Sequence, residues 1–169
     1  MDTVVDKVEV GIQDQVAYIR VQGRGTFKVG PSLKQFGALA MEQGCSRIVV
    51  EMKDCVGMDS TFMGILAGLS TVIRKTDGEV VLFDLSEKNL FLLKMLGLLH
   101  LVRVDARLPD ASFPVLTGHP LATGGDKRQM TQDMITAHED LIEAFPDNIV
   151  KFKDVLAYLK EDLKRTVVP

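Results

Sequence analysis

Two short segments near the N-terminus alternate apolar and polar residues, as strands with one buried face do. They are residues 8–12 and 16–21, and only Gln13, Asp14 and Gln15 stand between the strand-like patterns. A period of two in runs of this length, joined by a polar turn, is typical of a β-hairpin. Residues 48–52 form a continuous apolar run instead, which is typical of a central strand covered on both faces.

Helical periodicity fills the intervals after these strands. Apolar residues recur at helical spacing over residues 32–43, with Pro31 before them and Gly44 after them. Proline favours the first turn of a helix and glycine favours its C-terminal end, so this segment predicts a first helix. A second helix is predicted from about Ser60 to Lys75. The pattern then predicts a strand at 80–83, a short apolar helix at 89–96 and a closing strand at 101–104.

Two glycines, Gly64 and Gly68, lie one turn apart in the second predicted helix. Because neither has a side chain, the backbone of this helix can approach a neighbour closely. In a membrane helix the same spacing marks a dimerisation face, but this helix is too short and its flanks are too polar. We therefore interpret the two glycines as a sign of close packing on the sheet.

The chain changes character after residue 105. Prolines at 109, 114 and 120 and the pair Gly124 and Gly125 argue against regular structure, so residues 106–125 predict a linker or wrapping loop. Residues 126–145 and 148–164 return to helical periodicity and are separated by Pro146. Two short amphipathic helices bury little surface alone, so we expect them to pack on this chain, on a dimer mate or on a partner. The predicted organisation is a domain at 1–105, the loop, and a helical extension at 126–169.

Composition and charge narrow the class of protein. The 169 residues are 46% apolar and 25% charged, as in ordinary globular proteins. A net charge of −3 gives no electrostatic reason to expect a nucleic acid or an anionic membrane as partner. The first residues lack the basic and apolar regions of a secretory signal, and no apolar run has the length of a membrane span. We expect a cytoplasmic protein.

The cysteines and histidines do not predict a metal or redox site. Cys45 and Cys55 lie ten positions apart, which is neither a CxxC pair nor a zinc spacing, and we expect them to be buried thiols. His100, His119 and His138 are scattered over a helix end, the linker and the extension. We therefore predict neither a metal nor a cofactor.

Asp59, Ser60 and Thr61 place a carboxylate and two adjacent hydroxyls just after a strand, at the start of the second predicted helix. The first N–H groups of a helix have no partners within the helix and lie at the positive end of its dipole. Such a position can hold an anion, and a phosphate there would change the local charge strongly. The alternative is that Asp59 or Ser60 is only an N-cap.

The strand at residues 47–52, followed by Asp59, Ser60 and Thr61, resembles the signature of the STAS family. This domain is shared by sulfate transporters and bacterial anti-sigma factor antagonists, and the resemblance covers roughly residues 4–105. The family pattern has glycine where this chain has Phe62, and often reads Gly-Glu-Leu-Asp where this chain reads Gly-Arg-Gly-Thr at 23–26. The resemblance implies an α/β fold, a mixed β-sheet of four to five strands with helices packed on it. The predicted C-terminal helical hairpin lies outside the family core.

What the resemblance implies about function is a non-catalytic regulatory protein that binds an anti-sigma factor or a related Ser/Thr switch kinase. Phosphorylation at the start of the second helix would release the partner, and a metal-dependent Ser/Thr phosphatase would reset the protein. Thr61 matches the usual acceptor position, Ser60 is the adjacent alternative, and Asp59 would orient the acceptor hydroxyl or the kinase-bound metal. The partner surface would lie around this helix start and its neighbouring helix.

Two other interpretations remain open. The first is a STAS scaffold or dimerisation module without a switch, including a homodimer. The second is a small α/β hydrolase with Ser60 as nucleophile. Against the hydrolase, the Gly-x-Ser-x-Gly motif is missing and no histidine lies where the sequence suggests that a base could reach Ser60.

Overall fold

The computed structural model describes residues 5–106, 114, 116 and 120–166. Within these residues six strands form one sheet: β1 (Lys7–Gln13), β2 (Val16–Gly25), β3 (Arg47–Glu51), β4 (Cys55–Met58), β5 (Glu79–Phe83) and β6 (Arg103–Asp105). The strand order is β1-β2-β3-β5-β6, and β4 pairs with the end of β2. β1 and β2 are antiparallel, and the other pairs are parallel. The predicted mixed α/β sheet is confirmed, with β4 as an additional strand where the sequence predicts a loop.

The helices are α1 (Gly30–Glu42), α2 (Ser60–Arg74), α3 (Glu87–Met95), α4 (Lys127–Ala144) and α5 (Asn148–Arg165), and a short 3-10 helix at Phe27–Val29 precedes α1. Side-chain caps fix three of the helix starts, because Asp59, Ser86 and Asp126 each accept a hydrogen bond from a main-chain N–H three residues on. The predicted C-terminal helical hairpin is confirmed by α4 and α5.

Alternate residues of the central strands face two different clusters. Ile48, Val50 and Leu82 belong to the main core, which also contains the apolar faces of α1, α2 and α3. Val49, Val81 and Phe83 form a smaller cluster on the other face of the sheet. β3 is therefore apolar on both faces, as its continuous apolar run predicts.

The C-terminal helices dock on the α/β domain through buried contacts. The buried Asn148 side chain donates from Nδ2 to the carbonyl oxygens of Leu96 and Leu141, at 2.9 and 2.8 Å. The ring of Phe145 covers Gly97, where a Cβ would lie 2.4 Å from the ring carbon Cγ. α5 packs on α4 through Ile135, Leu156 and Leu159. The extension thus packs on its own chain in this structure.

The end of the predicted loop runs beside β1 and α1. Leu121 donates its main-chain N–H to Val8, at 2.7 Å, and Ser32 donates its hydroxyl to the carbonyl of Ala122, at 2.9 Å. The rest of this prediction, residues 107–113, 115 and 117–119, lies outside the described residues. In the part of the chain that the structure describes, no helix combines the length and the apolar character that a membrane span needs.

Candidate functional site at the start of α2

Asp59 joins three segments of backbone. Its Oδ1 accepts from the N–H of Phe62 and its Oδ2 accepts from the N–H of Phe27, both at 2.8 Å. Its own N–H donates to the carbonyl of Gly25 at 2.9 Å. Asp59 is therefore the N-cap of α2, and it also ties α2 to the end of β2 and to the 3-10 helix. Its orienting role toward an acceptor hydroxyl stays a prediction.

The two departures from the family pattern meet in space. Phe62 is fully buried, and a Cβ on Gly25 would lie 2.8 Å from the ring carbon Cδ1 of Phe62. A small residue therefore stands where the pattern has leucine, and a large residue stands where it has glycine. Thr26, in place of aspartate, accepts from the N–H of Lys28 at 3.4 Å and caps the 3-10 helix. Gly25 of β2 and Phe62 of α2 therefore lie against each other beside the candidate site.

The two candidate acceptor hydroxyls differ in their surroundings. Thr61 is buried, with 5% of its surface exposed, whereas Ser60 is only partly buried. Ser60 Oγ lies 2.9 Å from Nε2 of His138, and the ring Nδ1 lies 2.7 Å from the carbonyl oxygen of Met134. Because that carbonyl can only accept, Nδ1 carries a proton, and in the neutral ring Nε2 accepts from the Ser60 hydroxyl.

The expectation that no histidine reaches Ser60 is therefore wrong. His138 stands 78 residues further along the chain, on α4, and only the docking of the hairpin brings it to α2. It is buried, and its ring packs edge to face on Phe152 with centroids 5.0 Å apart. The carboxylate that orients the base in a catalytic triad is replaced here by the main-chain oxygen of Met134.

Gly64 and Gly68 face α4. A Cβ on Gly64 would lie 2.3 Å from the main-chain oxygen of Ala137, and one on Gly68 would lie 2.6 Å from Oδ2 of Asp140. The interpretation that these glycines pack on the sheet is therefore wrong. Small residues on one face of a helix predict that a neighbour comes close, but their spacing does not identify the neighbour.

A cavity of about 320 Å³ lies beside this contact, between α1, α2 and α4. Its walls are mainly apolar, and Asp133 and Asp140 of α4 also border it. Asp133 is 2% exposed; its Oδ1 accepts from Lys34 Nζ at 3.1 Å and from Gln129 Nε2 at 2.9 Å, while its Oδ2 has no partner. Burial raises the pKa of Asp140, and repulsion from Glu143 adds to the rise. α4 thus places one unpaired oxygen and one poorly solvated carboxyl at its contact with the domain.

Part of the apolar surface of α3 is exposed. Phe91 is 62% exposed and Met95 is 45% exposed, whereas Leu93 and Leu96 are buried in the core. The exposed part of α3 is a second candidate contact surface of the domain.

Cys45 and Cys55 are buried, as expected, and burial raises the pKa of both thiols.

Comparison with known proteins identifies the domain. The model of the STAS domain matches residues 7–111, which is more than half of the chain, and the chain belongs to the STAS family. The matched residues end before α4 begins.

Solved structures share the fold. The anti-sigma factor antagonist SpoIIAA in its unphosphorylated form is 16% identical, with a TM-score of 0.50 over 62% of this chain and 90% of that chain. The crystal structure of a putative anti-sigma factor antagonist from Thermotoga maritima, TM1081, is 18% identical, with a TM-score of 0.52 over 57% of this chain and 84% of that chain. At these identities the likeness is one of fold.

Proposed function

We propose that this protein is a non-catalytic regulatory binding protein of the anti-sigma factor antagonist type. Its partner would be an anti-sigma factor or a related Ser/Thr switch kinase, bound around the start of α2. The observation that carries the proposal is the pair of hydroxyls, Ser60 and Thr61, in the first turn of α2 beside the cap Asp59, within a STAS domain. The solved structures with this fold that are described as antagonists give further support.

The switch would be phosphorylation of Thr61 or Ser60, reversed by a metal-dependent Ser/Thr phosphatase. A phosphate adds about −1.5 to −2 charges at neutral pH, next to the Asp59 carboxylate. The helix dipole offsets only about 0.3–1 kcal/mol of that repulsion for an exposed group. Ser60 is the more exposed of the two residues, which favours it as the acceptor.

The test starts with the full-length protein, ATP, Mg²⁺ and each anti-sigma-factor-type kinase of its own organism. Intact mass spectrometry should show the gain of one phosphoryl group, which should be lost in the double variant Ser60→Ala, Thr61→Ala. Thr71→Ala is the matched control and should keep the gain, because Thr71 is an exposed residue of the same helix, away from its start, and its hydroxyl donates to the carbonyl oxygen of Ala67. A manganese-dependent Ser/Thr phosphatase should then reverse the modification.

Binding is measured separately, by isothermal titration against the same kinase. Ser60→Asp or Thr61→Asp should weaken binding by about 10- to 100-fold, whereas Thr61→Ala should keep it. Absence of a mass gain together with equal affinities for all variants would contradict the switch.

An unswitched scaffold is the second candidate, and the surroundings of the two hydroxyls favour it. Thr61 is buried and the Ser60 hydroxyl is paired with His138. In a scaffold these side chains would contribute only to packing, and α2 would only bind the extension or a second copy of the chain.

The hydrolase alternative is tested with short-chain nitrophenyl esters. We expect the wild type and Ser60→Ala to hydrolyse them at the same background rate, whereas a loss of turnover in the variant would revive this alternative.

A further inference from the structure

We propose that α4 and α5 form a displaceable cover over α2, and that the face of α2 from Ser60 to Gly68 is a helix-binding surface that an external partner occupies once α4 leaves. This inference rests on the proposed function, because it names the surface and the regulation of the same site. The partner element that fits is an amphipathic helix with a small residue opposite Gly64, as Ala137 is on α4.

The covered face of α2 is shaped for a helix. Because Gly64 and Gly68 lack side chains, the backbone of a partner helix can touch the backbone of α2, and at Gly64 it does so through the main chain of Ala137. Contacts of this kind select the partner by the absence of bulk rather than by charge. α4 meets this requirement from within the chain.

The cover also controls access to the candidate switch. While α4 is docked, Nε2 of His138 lies 2.9 Å from the Ser60 hydroxyl oxygen. A kinase must enclose the acceptor hydroxyl in its own active site, which is impossible while another helix lies against it. Phosphorylation and partner binding at this surface both require α4 to move.

The docking of α4 combines good contacts with costly ones. Asn148 and Phe145 anchor the hairpin at the end of α3. Against this, the cavity beside α4 leaves apolar walls without contacts, and the buried Asp133 keeps an unpaired oxygen. A buried carboxylate oxygen without a partner costs free energy that solvation in the open state recovers. An interface of this composition opens below the free energy of global unfolding.

One substitution separates the cover from the domain. In Gly64→Ala the three nearest atoms to the new methyl group all belong to Ala137 of α4, at 2.3 to 2.8 Å. Gly57→Ala is the matched control, since its methyl group would meet only Lys88 Nζ, at 3.7 Å. The first substitution should loosen α4 and leave the sheet intact, and the second should change neither.

The readout is native-state hydrogen exchange of the full chain, which needs no partner. In the wild type we expect α4 and α5 to exchange through an opening that leaves β3 and β5 protected. Gly64→Ala should accelerate exchange in α4 and α5 by about 10- to 100-fold, and Gly57→Ala should match the wild type. If the amides of α4 and β3 exchanged at the same rate, through one common opening, in the wild type and in both variants, the proposal would be overturned.

A reversible lock distinguishes this inference from the proposed function. A Cβ on Gly68 would lie 3.5 Å from Cγ of Asp140, so the two Cβ atoms are about 4 to 5 Å apart, close to the range of a disulfide. In the variant Gly68→Cys, Asp140→Cys, phosphorylation by the kinase that modifies the wild type should be lost on oxidation and return on reduction. Equal phosphorylation of both forms would refute the cover and leave the proposed function standing. A hairpin that opens in a protein that no kinase modifies or binds would refute the proposed function instead.

Discussion

Asp59→Ala tests how much of the start of α2 depends on one side chain. The substitution removes two hydrogen bonds of 2.8 Å, one to the N–H of Phe62 within α2 and one to the N–H of Phe27 in the preceding segment. The first is partly buried and the second is exposed. The change therefore removes both the cap of α2 and its tie to the 3-10 helix.

The two bonds have different expected contributions. Loss of an N-cap costs about 0.5–2 kcal/mol, and loss of an ordinary exposed hydrogen bond costs about 0.5–1.5 kcal/mol. We therefore expect Asp59→Ala to lower the free energy of unfolding by about 1–3.5 kcal/mol, with a central value of about 2 kcal/mol. Asp59→Asn should cost about half as much, because the amide keeps one acceptor oxygen and its NH₂ group cannot accept from the second N–H.

The measurement is urea unfolding followed by far-UV circular dichroism. Asp126→Ala is the matched control, because Asp126 also caps a helix but accepts only one main-chain bond, from Gln129 at 3.1 Å. It should cost about 0.5–1 kcal/mol, the lower part of the range for an N-cap, because this bond is exposed. If Asp59→Ala were no more destabilising than Asp126→Ala, the bond from Phe27 would contribute nothing to stability, and Oδ2 of Asp59 would be available for the orienting role that the family resemblance implies.

Three further expectations concern other parts of the molecule. Phe62→Ala should lower the free energy of unfolding by about 3–5 kcal/mol, because it empties a fully buried site. Phe91→Ala, at an exposed site, should change the free energy of unfolding by no more than about 0.5 kcal/mol. Equal losses for the two variants in urea unfolding would be inconsistent with this packing. Burial raises the pKa of Asp140, so the folded state keeps that proton to a higher pH than the unfolded chain does. The free energy of unfolding therefore falls as the pH rises from the unfolded pKa through the raised folded pKa. Asp140→Asn should remove this fall and stabilise the protein at neutral pH, which a pH series of thermal melts tests. Cys45 and Cys55 should react slowly with a thiol probe until the protein unfolds, and rapid labelling of Cys55 in the native state would revive a reactive-thiol role.

The features that the sequence predicts well are those encoded locally. The strands at β1, β2, β3 and β5 follow from alternation or from a continuous apolar run, and the cap at Asp59 follows from residue type at a helix start. β4 was not predicted, because a four-residue strand containing a glycine has no periodicity of its own and forms only by pairing with the end of β2.

The features that the sequence does not predict depend on contacts between distant segments. Ser60 and His138 are 78 positions apart, and no spacing rule relates them. Gly25 and Phe62 each depart from the family pattern, and only the structure shows that the two residues are in contact. For Gly64 the sequence correctly predicts a close neighbour but names the sheet instead of α4. A small residue allows either element to approach, so it does not identify which one does.

The contact between Ser60 and His138 couples the proposed switch to the proposed cover. A phosphate on Ser60 needs space where Nε2 of His138 now lies, 2.9 Å from Oγ. The imidazole ring is tied to α4, since its Nδ1 lies 2.7 Å from the carbonyl oxygen of Met134, and α4 packs against Gly64 through the main chain of Ala137. Accommodating the phosphate therefore requires α4 to shift as a unit.

Coupling is reciprocal, so if phosphorylation of Ser60 shifts the hairpin toward the open state by some factor, opening of the hairpin favours phosphorylation by the same factor. We expect protein phosphorylated at Ser60 to exchange α4 and α5 amides about 5- to 150-fold faster than unmodified protein, the usual range of such coupling, with β3 unchanged. Phosphorylation of Thr61 alone is measured in the Ser60→Ala variant. Because this variant already lacks the hydrogen bond to His138, its phosphorylated form is compared with unmodified Ser60→Ala. Slower exchange of α4 in the Ser60-phosphorylated protein would mean that the attraction between phosphate and imidazole outweighs the steric conflict, and that phosphorylation closes the hairpin on α2 rather than opening it.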